Sequence, residues 1–217
     1  GSRSYYDTIS GKSMRLTWEH PLRGRVINHL DSNALWNYSD RIGSALKPAL
    51  EGSKSGIFVD SWEVDTKYIW TDGLDTAFNN RYGYDIKDFI DSIYEPGYED
   101  IYYDYMKLVS GYVVEQFYRP FTEIAHDMGV FSRAQCGGAP ADLLTAFSSV
   151  DVPETEAILY KPNFAKIPAS AALLSSKNIV SAETFTCLYG WKGWPGPGPH
   201  QGEENIYDLK MLCDALF

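Results

Sequence analysis

The chain has 217 residues, of which 44% are hydrophobic and 22% charged, so its composition is that of an ordinary globular protein. Its net charge of −10 argues against a nucleic-acid partner, because phosphate neutralisation needs a basic stripe and the Lys and Arg residues do not cluster. No run of about 18 apolar residues occurs, so no membrane span is predicted. The 15% of aromatic residues suits sugar rings as ligands, since these side chains offer flat apolar faces with polar tips.

The first quarter of the chain predicts an irregular start, one helix and one strand. Residues 1–30 are polar and interrupted by Pro and Gly, which indicates a loop with one short strand at about 25–29. Asp31 or its neighbour can cap a helix that ends at Pro48, because apolar residues recur there at helical spacing. The apolar run Gly56–Val59 then predicts a buried strand that delivers polar residues at its C-terminal end.

The rest of the chain alternates helical and short apolar segments, a pattern that predicts a parallel sheet with right-handed crossovers. Each predicted strand ends in polar or acidic residues. We expect helices at 98–128, 141–147, 168–175 and 205–217, and strands at 130–135, 151–156 and 179–184.

Strands that end in polar residues favour an α/β fold of the (β/α)8 TIM-barrel type, because barrel active sites collect at the C-terminal ends of the strands. A complete barrel needs about 250 residues. We therefore expect residues 1–217 to form a single catalytic barrel domain, incomplete or excised, that is part of a longer protein. A doubly wound open sheet is the competing fold, but no G-x-G-x-x-G follows a strand here.

Two glutamates at strand ends could cleave a glycosidic bond. This chemistry needs one carboxyl that protonates the leaving oxygen and a second, ionised carboxyl that acts as base or nucleophile. Glu63 and Glu183 each follow a hydrophobic strand and would lie three strands apart, across the barrel mouth. Trp62 could supply an apolar wall that raises the pKa of the acid. Asp60 lies in the same polar run as Trp62 and Glu63 and is a candidate substrate contact. Capping of a following helix is the alternative role for either glutamate.

Glu154 and Glu156 form an acidic cluster with Asp151. Alternate residues of a strand share a face, so the two glutamates would point the same way and repel each other unless a cation or sugar hydroxyls lay between them. Hard oxygen ligands of this kind suit calcium, which predicts a metal site. A solvated acidic turn is the alternative.

Five further residues are candidates for substrate binding. Arg133 and Gln135 would line the same mouth, the first orienting a carboxylate and the second binding a hydroxyl. A structural salt bridge is an equal alternative for Arg133. Trp191, Trp194 and His200 lie in a Pro-Gly loop and could form a stacking platform with a polar contact.

Several short motifs, taken together, resemble the family 106 glycoside hydrolases, the α-L-rhamnosidase group. Their order and rough spacing match from about Leu30 to the C-terminus. The motifs are Phe58-Val-Asp-Ser-Trp-Glu63, Trp70-Thr71, Phe78 with Arg81-Tyr-Gly-Tyr-Asp85, Gln135 with Gly138, Pro140 and Asp142, Asp151 with Pro153, Glu154 and Glu156, and Ser181-Ala-Glu183.

This resemblance implies an inverting glycosidase with a calcium-assisted site. Glu63 would be the general acid and Glu183 the base that activates water, with Glu156 as the alternative base. Glu154 or Glu156 would contact calcium or substrate. The implied substrates are α-L-rhamnosides in oligosaccharides or polysaccharides, the implied partners are other domains of the parent chain, and the implied location is periplasmic or extracellular. An inverting pair should lie about 6.5 to 9.5 Å apart.

Two other functions fit the same residues. A retaining glycosidase of the β-galactosidase type would use Glu183 as a nucleophile, with the two carboxyls about 5 to 5.5 Å apart. A non-catalytic carbohydrate-binding barrel would hold sugar or calcium in its acidic mouth without cleaving, and fold alone does not exclude it.

Overall fold

The computed structural model describes the backbone of residues 2–7, 12–17, 27–64, 66, 68–156, 162–185, 191–192, 195–196 and 205–217. Side chains are described for 27–64, 66, 68–156, 163–185 and 205–217. Its strands are β1 Ser2–Asp7, β2 Lys12–Thr17, β3 Gly56–Val59, β4 Phe131–Ala134, β5 Val152–Glu156, β6 Ser181–Glu183, β7 Trp191–Lys192 and β8 Pro195–Gly196. Its α-helices are α1 Ser32–Leu50, α2 Leu74–Tyr82, α3 Glu99–Val113, α4 Arg119–Asp127, α5 Leu143–Ser148, α6 Lys166–Leu174 and α7 Ile206–Leu216.

The start of the chain differs from the predicted loop. Strands β1 and β2 pair in antiparallel register, from Ser2 with Thr17 to Asp7 with Lys12. The segment 27–31 is turn and coil, so the strand expected at 25–29 is wrong in its described part. A two-stranded hairpin depends on pairing between segments, which the polar composition of either segment alone does not reveal.

Helix α1 begins where its cap was predicted. The Asp31 carboxylate accepts from the Asn33 backbone N–H at 3.0 Å, which satisfies one of the free donors of the first turn. The helix continues past Pro48 to Leu50, two residues beyond the predicted end. Pro48 removes one N–H from the helical ladder, and the helix ends two residues later, where Glu51 N–H donates to the Lys47 carbonyl.

The predicted long helix at 98–128 is confirmed and has an internal irregularity. Helices α3 and α4 are joined by a π-helical turn, Val114–Tyr118, with no break in the chain direction. Phe117 and Tyr118 in this turn are buried in the main hydrophobic core. Turns of this type place side chains off the regular helical stripe and are common beside functional sites.

Four strands form a parallel sheet in the order β3-β4-β5-β6. The register pairs Phe58 with Arg133, Arg133 with Val152, and Glu156 with Glu183. Neighbours in the sheet therefore follow chain order, whereas a doubly wound sheet reverses its order at a switch point. The prediction of a parallel α/β sheet is confirmed.

The two faces of this sheet differ in character. Ile57, Val59 and Ala134 point to the helices and join the main core. The opposite face bears Phe58 and Phe131, which are 41% and 39% exposed, together with the charged side chains described below. Alternation along each strand thus separates an apolar helical side from a side that carries charge.

Asp151 lies at the N-terminal end of β5, away from the polar end that Glu156 occupies. Its Oδ2 accepts from the backbone N–H of the buried Ser132 at 2.8 Å and lies 2.8 Å from His126 Nε2. The predicted acidic cluster is therefore spread along one strand, with Asp151 before its start, Glu154 at its middle and Glu156 at its end. Asp151 ties β4, β5 and α4 together.

Helix α7 is confirmed at the predicted place, with Asn205 as its cap. Leu212 is buried against Ala182, Leu209 and Leu216, which joins the helix to β6. None of the helices in the described part of the chain is both long and apolar enough to cross a membrane.

Candidate active site

The loop that carries Glu63 is fixed to the loop that follows β4. Trp62 N–H donates to the Gly137 carbonyl at 2.9 Å, and Gln135 N–H donates to the Val59 carbonyl at 2.9 Å. Gly138 has φ +76°, and a Cβ at this position would lie 2.9 Å from the Trp62 carbonyl oxygen. The two loops approach so closely because glycine stands there.

The Trp62 side chain is half-buried, and its ring packs against the rings of His29 and Phe117. Its centroid lies 4.7 Å from His29 and 6.2 Å from Phe117, and the latter two rings are 4.6 Å apart. Burial lowers the pKa of His29 because the charged ring loses solvation, while a backbone hydrogen bond at Ile27 works against this effect. His29 is a contributor that sequence reasoning missed, since the segment before α1 shows no pattern.

Glu63 and Asp60 lie on the exposed side of the same loop. Asp60 Oδ1 accepts from the Ser61 backbone N–H at 2.8 Å, which curls the chain as it leaves β3. Glu63 has no hydrogen-bond or ion-pair partner among the residues that the structure describes. Within the described part of the chain, no other side chain occupies its carboxyl.

Gln135 joins two carboxylates at the polar end of the sheet. Its side-chain Nε2 donates to Glu183 Oε2 at 2.7 Å and to Glu154 Oε1 at 3.3 Å. Gln135 and Glu154 are 2% and 4% exposed, whereas Glu183 is half-buried. The structure thus brings three of the predicted site residues into one hydrogen-bonded group.

The second oxygen of Glu154 is also occupied. Ser181 Oγ donates to Glu154 Oε2 at 2.5 Å, and Arg133 Nε lies 3.1 Å from the same oxygen. The Arg133 contact is an ion pair, because the buried Nε–H is not aligned on the oxygen well enough to count as a hydrogen bond. The Arg133 guanidinium also stacks 4.4 Å above the centre of the Phe58 ring. Arg133 therefore orients a carboxylate of the protein itself.

The predicted calcium site does not take shape in the described part of the chain. No three acidic, His or Cys side chains among these residues are grouped so that they could hold a metal ion. Glu154 accepts from Gln135 and Ser181 and pairs with Arg133, so its charge is balanced by the protein. Glu156 is half-buried beside Glu183 in the register but has no described side-chain partner. Among the described residues Glu154 is therefore occupied by protein partners, and the calcium role of Glu156 stays a prediction.

A cleft of about 550 Å³ opens on the charged face of the sheet. Phe131, Arg133, Val152, Ile179 and Ser181 are among the residues that line it. Neither predicted catalytic glutamate lines this cleft, which lies toward the N-terminal ends of the strands.

Three predicted substrate contacts cannot be placed. The side chain of Trp191, and Trp194 and His200 entirely, lie outside the described residues, although the backbone of Trp191 belongs to β7. Ser181 was not among the predicted residues. It precedes Glu183 by two positions on the same strand, so alternation is the signal that places both on one face.

A parallel α/β sheet with carboxyl side chains gathered at the C-terminal ends of its strands is typical of barrel-type glycoside hydrolases. The chain belongs to glycoside hydrolase family 106, whose family model, described as alpha-L-rhamnosidase, matches residues 24–196. The resemblance drawn from the sequence motifs is thereby confirmed.

Two known proteins are similar to this chain. A curated protein of Formosa agariphila that carries the provisional name beta-glucuronidase is 24% identical over 225 residues, which are 97% of this chain and 16% of that protein. The solved structure of a rhamnosidase from Novosphingobium sp. PP1Y is 19% identical, with a TM-score of 0.62 over 76% of this chain and 18% of its own. This likeness shows a shared fold. The chain spans less than a fifth of the length of either protein.

Replacement of Gly138 by alanine should destabilise the Glu63 loop. A residue other than glycine at positive φ costs about 1–2 kcal/mol, and the new Cβ would also meet the Trp62 carbonyl. Gly52→Ala is the matched control, because Gly52 has φ +74° and nothing within 4 Å of its would-be Cβ. Urea unfolding should show a larger decrease in the free energy of unfolding for Gly138→Ala than for Gly52→Ala. Equal losses would contradict the close approach of the two loops.

Acid should weaken the packing around Trp62. The pKa of His29 is lower in the folded chain than the ordinary 6.5. Between these two pKa values the unfolded chain therefore binds more protons than the folded chain. The stability that the neutral ring contributes is complete above pH 6.5 and is lost as the pH falls from there through the folded pKa. Melting temperatures should be measured for the native protein and for His29→Phe between about pH 5 and 8. As the pH is lowered, the melting temperature of His29→Phe should fall less steeply than that of the native protein. Parallel curves would show that His29 is not desolvated.

Proposed function

We propose that the protein is a glycosidase that releases terminal α-L-rhamnosyl residues by an inverting, single-displacement reaction. The observation that carries this proposal is the contrast between two glutamates at one edge of the sheet. Glu63 is exposed and unpartnered among the described residues, whereas Glu183 is held by the Gln135 amide. Family membership supports glycoside hydrolysis as the reaction class.

The two environments suit different roles. A general acid must reach the glycosidic oxygen and give up a proton there, which suits the unpartnered Glu63 carboxyl. A general base must stay ionised and keep a fixed orientation toward a water molecule. Glu183 accepts a hydrogen bond at Oε2, and its other oxygen has no partner among the described residues.

The reaction then proceeds in one step. Glu63 donates its proton to the leaving oxygen as the bond from that oxygen to the anomeric carbon breaks. A water molecule attacks the same carbon from the opposite face and gives its proton to Glu183. The products are a free sugar of inverted configuration and the alcohol.

A β-glucuronide is the second candidate substrate, because the relative from Formosa agariphila carries that provisional name. A uronide carboxylate would need a cation for recognition. Arg133 lies on the charged face of the sheet, but it is already paired with Glu154. This pairing favours the neutral sugar.

Substitution of the two glutamates tests the roles directly. In the full-length natural protein, Glu63→Gln and Glu183→Gln should each reduce kcat on the best substrate of an aryl-glycoside panel by about 10²–10⁴-fold. The panel includes α-L-rhamnosides and β-glucuronides. Glu123→Gln is the matched control, because Glu123 is exposed on α4 and has no described partner, and it should leave kcat unchanged.

The leaving group separates the acid from the base. Glu63→Gln should lose less activity on p-nitrophenyl glycosides than on alkyl glycosides, because p-nitrophenolate departs without a proton. Glu183→Gln should lose the same factor of activity on both kinds of glycoside. Full activity of both variants would refute the assignment. Sugar binding without cleavage of any glycoside on the panel would instead identify a carbohydrate-binding barrel.

A further inference from the structure

Gln135 is placed so that its amide can take only one orientation. Both acceptors of its Nε2 are carboxylate oxygens, one from Glu154 and one from Glu183. A flipped amide would direct the Gln135 carbonyl oxygen at both carboxylates, and neither ionised group could donate to it. The side chain is 2% exposed, so water does not relieve such a conflict.

Glu154 is the anchor of this arrangement. Its carboxylate is 4% exposed and faces Ser181 from β6, Arg133 from β4, and Gln135 from the loop after β4. A buried charge with this many partners is held in place by them, because the loss of any one leaves a desolvated group. The backbone N–H of Gln135 is itself bonded to β3 through the Val59 carbonyl.

Repulsion between Glu154 and Glu183 makes the amide necessary. Because one nitrogen donates to both, their oxygens are close enough for two negative charges to disfavour each other. Arg133 balances the charge of Glu154, and the amide hydrogens of Gln135 lie between the two carboxylates. Without those hydrogens, Glu183 would turn away from Glu154.

We propose that Gln135 is a positioning residue for the base: it fixes Glu183 by one oxygen and leaves the other free for the attacking water. This inference rests on the proposed function, because it gives Glu183 the role of base. Both hydrogen bonds of the Gln135 amide nitrogen go to the protein, so a direct contact with a sugar hydroxyl, as the sequence predicts, would have to use its carbonyl oxygen.

The test compares Gln135→Met, Glu183→Gln and the double variant in the full-length natural protein. Methionine keeps the length of the side chain and removes its donors. Misplacement of a catalytic group by about 1 Å costs on the order of 10²-fold in rate, so kcat of Gln135→Met should fall by about that factor while KM stays within about threefold. The double variant should be no slower than Glu183→Gln alone, because Gln135 acts through Glu183.

Each other outcome has a defined meaning. Two results would show that Gln135 binds the sugar directly and would overturn the proposal. One is a Gln135→Met variant with a higher KM and an unchanged kcat. The other is a double variant whose kcat is lower than that of Glu183→Gln by the full factor measured for Gln135→Met. Wild-type kcat in Gln135→Met would overturn it too. Wild-type activity in Glu183→Gln would instead refute the proposed function.

Ser181→Ala provides the test if Gln135→Met does not fold. It removes one donor to Glu154 and leaves both Gln135 and Glu183 in place. We expect a drop of several-fold in kcat with KM unchanged, and no additional loss in the Glu183→Gln background. An unchanged kcat in Ser181→Ala would contradict the positioning role.

Discussion

A carboxylate buried at the polar end of a parallel sheet must be fully partnered, and the organisation of the candidate site follows from how Glu154 meets this requirement. An isolated buried charge is too costly to keep. Ser181, Arg133 and Gln135 supply the partners, and each comes from a strand or loop that the parallel register brings alongside. The same contacts that stabilise Glu154 also direct the Gln135 amide at Glu183.

Much of this architecture could be predicted from the sequence. Runs such as Gly56–Val59 have the length and composition of buried strands, and helical segments separate them, so the parallel sheet was predictable. The gathering of Gln135, Glu154 and Glu183 was predictable because each lies at or near the end of such a strand.

Other features depend on contacts between distant segments, which no local pattern encodes. The packing of His29 on Trp62 joins a patternless segment to the loop after β3. Asp151 was grouped with Glu154 and Glu156 by proximity in sequence, but each residue of a strand advances it by about 3.3 Å. Glu154 and Glu156 follow Asp151 by three and five positions, or about 10 and 16 Å of extended chain, so Asp151 is a structural anchor outside the candidate site. The pairing of Glu154 with Arg133 is likewise a contact between two strands that local sequence does not encode.

The reaction class and the roles of the two glutamates rest on different observations. Membership of glycoside hydrolase family 106 supports the reaction class, and the surroundings of Glu63 and Glu183 support the division into acid and base. The chain spans less than a fifth of the length of the two proteins that it resembles, so the activity of a whole protein is a proposal and is tested on the full-length natural protein.

The anomeric configuration of the first-formed sugar tests the central claim most directly. Proton NMR can follow the cleavage of an aryl α-L-rhamnoside by the full-length natural protein before mutarotation mixes the anomers. A base at Glu183 that activates water predicts that the β-anomer appears first, with inverted configuration. Initial release of the α-anomer would show retention, would make Glu183 a nucleophile, and would contradict the single-displacement account.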